Sequence, residues 1–290
     1  SHGLLGSSLV NHLSKKFQVI AFHRDKKILV NSFKNYRVNL INFKLFKKKF
    51  NEIKPDIVIH TAAYINIDYC EKNKKKTKEL NYFFVKNLSN LCKNKTKLIF
   101  ISTDQIYGQS KLKNEKSHYF NPVNYYGKNK LDSEKYIIKN NTNYINIRTN
   151  FYGINIKKNK ISFVEWILDA LKNNKKISLF NDYYFNPISS IELSKNISKL
   201  ISKNFIGTIN LGSKDYCSKY EFGYYLSKKF KYSCSNILSI SMDEHLFKAK
   251  RSKNLVMELD KAYKLKLKVP TYKQSINDFL IFYKKNKIKK

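Results

Sequence analysis

Tyr126 and Lys130 stand four residues apart in NYYGKNKLDSEK (124–135), downstream of Ser102-Thr103-Asp104. A spacing of four places both side chains on one face of a helix. An ammonium beside a phenol is expected to lower the phenol's pKa from its ordinary value of about 10 toward neutrality. Such a phenol can give its proton to a carbonyl oxygen as hydride arrives, while a neighbouring hydroxyl, Thr103, holds that oxygen. In a chain so rich in tyrosine and lysine the pair means little by itself. Its weight comes from following a Ser-Thr-Asp at a predicted strand end.

The elements that must position these groups alternate in type. Apolar runs FQVIAF (17–22), IVIHTAA (57–63) and KLIFIST (97–103) have strand character. Between them lie helical patterns, one through Phe43, Phe46 and Phe50, and one over 71–94 with Leu80, Phe83, Phe84, Leu88 and Leu91 on a single face. Strand and helix in alternation predict an α/β fold with a doubly wound parallel sheet. Ligands of such sheets lie beyond the carboxyl ends of the strands. There the chain would bring together the opening Gly3-Leu4-Leu5-Gly6, His23-Arg24, Thr61-Ala62-Ala63 and Ser102-Thr103-Asp104. Gly-x-x-Gly ahead of Leu9, Val10 and Leu13 has the look of a phosphate-binding turn entering a helix. At the end of the second strand of a dinucleotide fold an acid commonly holds the adenosine ribose. His23 and Arg24 in that place favour a 2′-phosphate, and so NADPH, with NADH as the alternative.

Composition narrows the class. The chain has 290 residues, 57 of them basic and 21 acidic, for a formal charge of +36. Only Arg24, Arg37, Arg148 and Arg251 are arginine, whereas base recognition and bidentate phosphate contact favour guanidinium. The lysines are spread along the whole sequence, so nucleic acid is not the expected partner. The charge instead attracts anionic small molecules. No apolar run is long enough to cross a membrane, which makes a cytoplasmic protein the expectation. Cys70, Cys92, Cys217 and Cys234 form no Cys-x-x-Cys pair, and the histidines show no metal spacing, so no metal is expected.

IVIHTAAYINIDYCE, ISTDQIYG, NPVNYYGKNKLDSEK and INIRTNFYG resemble, in order and spacing, the extended short-chain dehydrogenases/reductases, and specifically the dTDP-4-dehydrorhamnose reductase family. FVEWIL (163–168), LFNDYYFNPISSIELSKNI (179–197), GTINLGSKDYCSKYEFGYYL (207–226) and RSKNLVMELDKAYKL (251–265) extend the similarity over essentially the whole chain. The resemblance implies a Rossmann domain over 1–150 with a returning segment near 187–212. A smaller substrate lobe would be built from 151–186 and 213–290. It implies Tyr126 as general acid, Lys130 as its pKa-lowering neighbour and nicotinamide-ribose ligand, and Thr103 as the carbonyl-orienting hydroxyl. Asp104 and Phe151 would face the sugar, and Arg251 would touch the far end of its nucleotide. Gly3, Leu4, Leu5 and Gly6 would lie at the pyrophosphate, His23, Arg24, Asn39 and Leu40 near the adenosine, and Ala62, Ala63 and Tyr64 along the cofactor. Asn39 stands where the family commonly has aspartate, and Phe151 where it has tryptophan. The implied reaction is NAD(P)H-dependent reduction of the 4-keto group of a nucleotide-linked 4-keto-6-deoxy sugar, for deoxysugar and cell-surface polysaccharide synthesis, in a chain that could form a homodimer. Alternatives are a non-catalytic NADP-binding regulatory subunit, or an epimerase or dehydratase of the same superfamily. By the same resemblance, SHGLLG is expected to be the tail of a longer glycine turn, its first glycine and the first β-strand lying ahead of Ser1.

Overall fold

The computed structural model describes residues 3–24, 33–93, 95–117, 119–155 and 161–287, with 285–287 as backbone only. The order opens α1 (Leu4–Leu13), β1 (Ile20–His23), β2 (Lys34–Arg37), α2 (Phe43–Ile53), β3 (Ile57–His60), α3 (Ile67–Lys72), α4 (Lys74–Lys78), a π-turn (Glu79–Phe83) and α5 (Phe84–Cys92). It continues β4 (Lys97–Ile101), a 3₁₀ turn (Asp104–Ile106), α6 (Tyr125–Asn140), β5 (Tyr144–Tyr152), α7 (Phe163–Lys172), β6 (Ile177–Phe180), β7 (Tyr184–Phe185), β8 (Pro187–Ser189) and α8 (Ser190–Ser202). β9 (Gly207–Leu211), β10 (Cys217–Ser218), α9 (Lys219–Lys229), β11 (Ile237–Ile240), α10 (Asp260–Lys264) and α11 (Tyr272–Lys287) complete it.

β3, β4 and β5 run parallel, and β5 also pairs in parallel with β9 along its first half and with β8 at its end. β1 and β2 form a separate parallel pair, and no ladder joins β1 to β3 among the described residues. Parallel strands covered on both faces need apolar residues throughout, which KLIFI supplies. Alternation sends Ile99 and Ile101 to one face with Leu5, Leu9, Leu193 and Ile197 of α1 and α8. Leu98 and Phe100 point to the other, against Phe46, Phe84, Leu88 and Ile137 of α2, α5 and α6. The expected doubly wound α/β sheet is therefore present. A third apolar cluster is built on Ile167, Leu179, Phe222, Leu226, Ile276 and Phe279.

Two local expectations change. The polar stretch after residue 32 contains a strand, β2, that the sequence pattern does not announce, because its KNYR is too polar and too exposed to show alternation. The helix expected over 71–94 is interrupted at Asn73 and widened into the π-turn. The turn aims Asn81 inward, where its side chain accepts from the Tyr64 N–H at 2.9 Å and donates to the Tyr64 carbonyl at 2.8 Å. Ser133 of α6 donates to the Asn81 carbonyl at 2.7 Å.

Candidate active site

A cleft of about 850 Å³ opens where β1, β3, β4 and β5 end. It is lined by every residue expected to bind cofactor, by Thr103, Tyr126 and Lys130, and by Asp104 and Phe151. Arg251 is the exception. It lines a separate, smaller pocket with Lys128 and Lys250, pairs with Asp68 at 2.8 Å, and lies 4.1 Å from the centre of the Phe247 ring.

The reactive end is held by α6. Asn124 caps this helix by accepting from the Gly127 N–H at 2.9 Å, and its amide also donates to Gln105 at 3.2 Å. A Cβ on Gly127 would sit 2.7 Å from the Gln105 carbonyl oxygen and 3.1 Å from Pro122 Cβ, so glycine lets the helix press against the turn after β4. The buried Glu134 of α6 receives Arg148 of β5 in a two-pronged pair, with Arg148 Nη2 donating at 2.7 Å. Tyr107 accepts from Arg148 Nη1 at 2.8 Å. Both charges are thereby satisfied inside the protein, and the helix carrying Tyr126 and Lys130 is fastened to the central strand.

Lys130 Nζ donates to the Ile101 carbonyl at 2.6 Å and sits 4.1 Å over the Phe100 ring. Burial lowers its pKa to about 7. The expected acidification of Tyr126 is not found: burial raises the phenol's pKa, and the facing Thr103 hydroxyl eases that shift only in part. The reason is direction, since the ammonium is turned to the end of β4. The phenol is therefore protonated at neutral pH, the form a proton donor requires. Thr103 Oγ1 accepts from the Gln105 N–H at 3.3 Å and donates to Asp104 Oδ1 at 3.0 Å. Asp104 Oδ2 accepts from the Asn150 amide at 2.6 Å. Burial raises the Asp104 pKa to about 6, so it is ionised at pH 7. It is the only carboxylate among the described residues lining the cleft.

The other end suits an elongated anionic ligand. α1 begins at Gly3 with no side-chain cap, and a Cβ there would meet nothing within 4 Å, leaving the first-turn N–H groups open for phosphate. Ser102 Oγ and Thr149 Oγ1 line the cleft, buried and without a hydrogen-bond partner. Asn39 Oδ1 accepts from the Ile41 N–H at 3.2 Å, which shapes the turn after β2. These features fit a dinucleotide laid from α1 to Lys130. Two residues that sequence reasoning passed over also belong here. Asn81 fixes the Ala62-Ala63-Tyr64 loop and was detectable as a polar side chain inside an apolar helix face. Lys219 lines the cleft at the start of α9 and carried no signal among so many lysines.

Fold and site together define a doubly wound α/β protein whose cleft, at the carboxyl ends of its strands, gathers Thr103, Tyr126 and Lys130. The family model described as RmlD substrate binding domain matches residues 1–284, and the chain belongs to that family. It is similar in structure to the dTDP-4-dehydrorhamnose reductase of Bacillus anthracis crystallised with NADP: TM-score 0.84, 24% identity, covering 97% of this chain and 96% of that one. It is 23% identical over 229 residues to a probable low-salt glycan biosynthesis reductase of Haloferax volcanii, covering 77% of this chain and 76% of the relative. A stretch of 127 residues is 32% identical to the dTDP-D-glucose 4,6-dehydratase of Dictyostelium discoideum, covering 39% of this chain but only 29% of that enzyme.

Proposed function

We propose that this protein is an NADPH-dependent reductase of the 4-keto group in a nucleotide-linked 4-keto-6-deoxy sugar, working in the cytoplasm to supply deoxysugars for surface polysaccharide. The observation that carries the reading is the meeting of Tyr126, Thr103 and Lys130 with one carboxylate, Asp104, at the inner end of the cleft. Reduction needs one proton donor and one oxygen holder, which Tyr126 and Thr103 supply. Eliminating water from the sugar would call for a further acid or base, and the residue beside Asp104 is Gln105, its amide donating to the Tyr183 hydroxyl at 3.1 Å. That favours reductase over dehydratase.

The reduced nicotinamide, when bound, supplies the hydride. Lys130 holds its ribose hydroxyls. The α1 N-terminus and Gly3 take the pyrophosphate, and Arg24, at the end of β1, takes the 2′-phosphate that distinguishes NADPH from NADH. Thr103 turns its hydroxyl from Asp104 to the substrate's carbonyl oxygen, and Tyr126 delivers the proton to that oxygen. The names of the relatives above support a nucleotide sugar as substrate. Equilibrium binding of NADPH, together with its oxidation in the presence of a panel of nucleotide-linked 4-keto-6-deoxy sugars, tests the reading. Binding without oxidation by any of them would move the protein to the non-catalytic class.

A further inference from the structure

Lys219 is the first residue of α9, capped by Ser218, whose hydroxyl accepts from the Glu221 N–H at 3.0 Å. A cation at a helix N-terminus opposes the helix dipole, so the position is unfavourable for lysine on local grounds. Its ammonium is aimed into the cleft through a cage of rings, 3.6 Å from the centre of Phe185, 4.5 Å from Phe163 and 5.1 Å from Tyr183. Among the described residues it donates no hydrogen bond and makes no ion pair. The charge it feels most is Asp104, on the far side of the same cavity, beyond ion-pair distance. Burial in this setting lowers its pKa to about 8, leaving it largely charged at neutral pH. Asp104 has hydrogen-bond donors on both oxygens from its own wall, Thr103 and Asn150. Lys219 is only half-buried, so its ring-caged ammonium faces the open cleft, where water or a ligand is left to supply the acceptor the protein does not.

We propose that Lys219 is a sugar-binding residue, which with Asp104 brackets a hydroxyl pair on the substrate's sugar ring, the ammonium donating to one oxygen and the carboxylate accepting from the other. The site rests on the nucleotide-sugar reading above and deepens it by naming what the inner pocket selects. One donor and one acceptor of opposite charge make that pocket neutral overall. It therefore suits an uncharged vicinal diol and disfavours a sugar carboxylate, which would meet Asp104 as a like charge. The ring cage packs against the sugar's apolar face and excludes water from both hydrogen bonds.

The test uses the full chain saturated with NADP⁺ and measures calorimetrically the binding of dTDP-rhamnose, dTDP-glucuronate and dTDP to wild type, Lys219→Met and Lys219→Arg. Methionine keeps the stem packed among the rings, and thermal melts report that each variant is folded. Lys219→Met is expected to weaken dTDP-rhamnose about ten- to a hundredfold, the loss of a hydrogen bond to a charged group. Binding of dTDP and of NADP⁺ should stay within about twofold, and Lys219→Arg should recover part of the loss. In turnover the change should fall on KM for the sugar nucleotide rather than on kcat. Equal weakening of dTDP and dTDP-rhamnose would place the ammonium on the pyrophosphate and overturn the proposal. So would tighter binding of dTDP-glucuronate than of dTDP-rhamnose, or an unchanged Lys219→Met. If the wild type binds dTDP-rhamnose but oxidises NADPH with no substrate, the reductase reading fails while the binding comparison still decides Lys219. A wild type that binds none of the three overturns both.

Discussion

The two walls of the cleft are built on different physical terms. On the catalytic wall, formed by the end of β4, the following turn, α6 and β5, Lys130, Asn124, Thr103 and Asp104 each have hydrogen-bond partners within the protein. On the facing wall, Phe163, Phe185 and Tyr183 pack as rings around one ammonium that has no acceptor among the described residues. The first wall holds these four residues in place before anything binds, as preorganised proton transfer requires, while Ser102 Oγ and Thr149 Oγ1 beside them have no partner among the described residues. The second is completed by the ligand, and that is where discrimination between substrates belongs.

The largest effect that would break this division is chemical. Tyr126→Phe is expected to lower kcat by about a thousandfold while NADPH affinity stays within about threefold, measured by single-turnover oxidation and by fluorescence titration. A retained kcat would take proton donation away from the catalytic wall. Next is stability. Glu134→Ala strands the buried Arg148 and should cost about 3–5 kcal/mol in denaturant unfolding, with Glu134→Ala/Arg148→Met recovering much of the loss. Asn81→Ala removes both side-chain bonds to the Tyr64 backbone and should cost about 1–3 kcal/mol, and NADPH affinity should fall with it.

The smallest effect is a pH dependence that separates the walls. The folded-state pKa of Asp104 is raised from 3.8 to about 6, so the folded state binds the extra proton first. Between those values the wild type should gain stability relative to Asp104→Asn as pH falls, an advantage that is gone above about 6. Sugar-nucleotide affinity should move the opposite way and weaken as pH falls through about 6, because the protonated carboxyl is a poorer acceptor. Calorimetry across that range reads both, and parallel trends would remove Asp104 from the substrate's side.

What was legible in the sequence follows the same division. The first wall rests on local rules: a β-branched run ending in Ser-Thr-Asp and a spacing of four, both visible in one dimension. The strand KLIFI and the helix with Tyr126 and Lys130 stand where those rules place them. The direction of Lys130 was not legible, since only the fold shows the Ile101 carbonyl waiting for its ammonium. β2 escaped notice because its residues are polar, and the π-turn because Asn81 answers to a loop seventeen residues away in sequence. Lys219 depends on three rings from two other segments and on a carboxylate from another, a juxtaposition no local pattern encodes.

The central claim, that Tyr126 hands a proton to a sugar carbonyl in this cleft, is tested most directly by following nicotinamide absorbance with NADPH and a nucleotide-linked 4-keto-6-deoxy sugar. Wild type and Tyr126→Phe are compared at matched cofactor occupancy. The account predicts substrate-dependent oxidation by the wild type and about a thousandfold less by the variant. Oxidation at similar rates by both, or by neither while both bind NADPH, would contradict it.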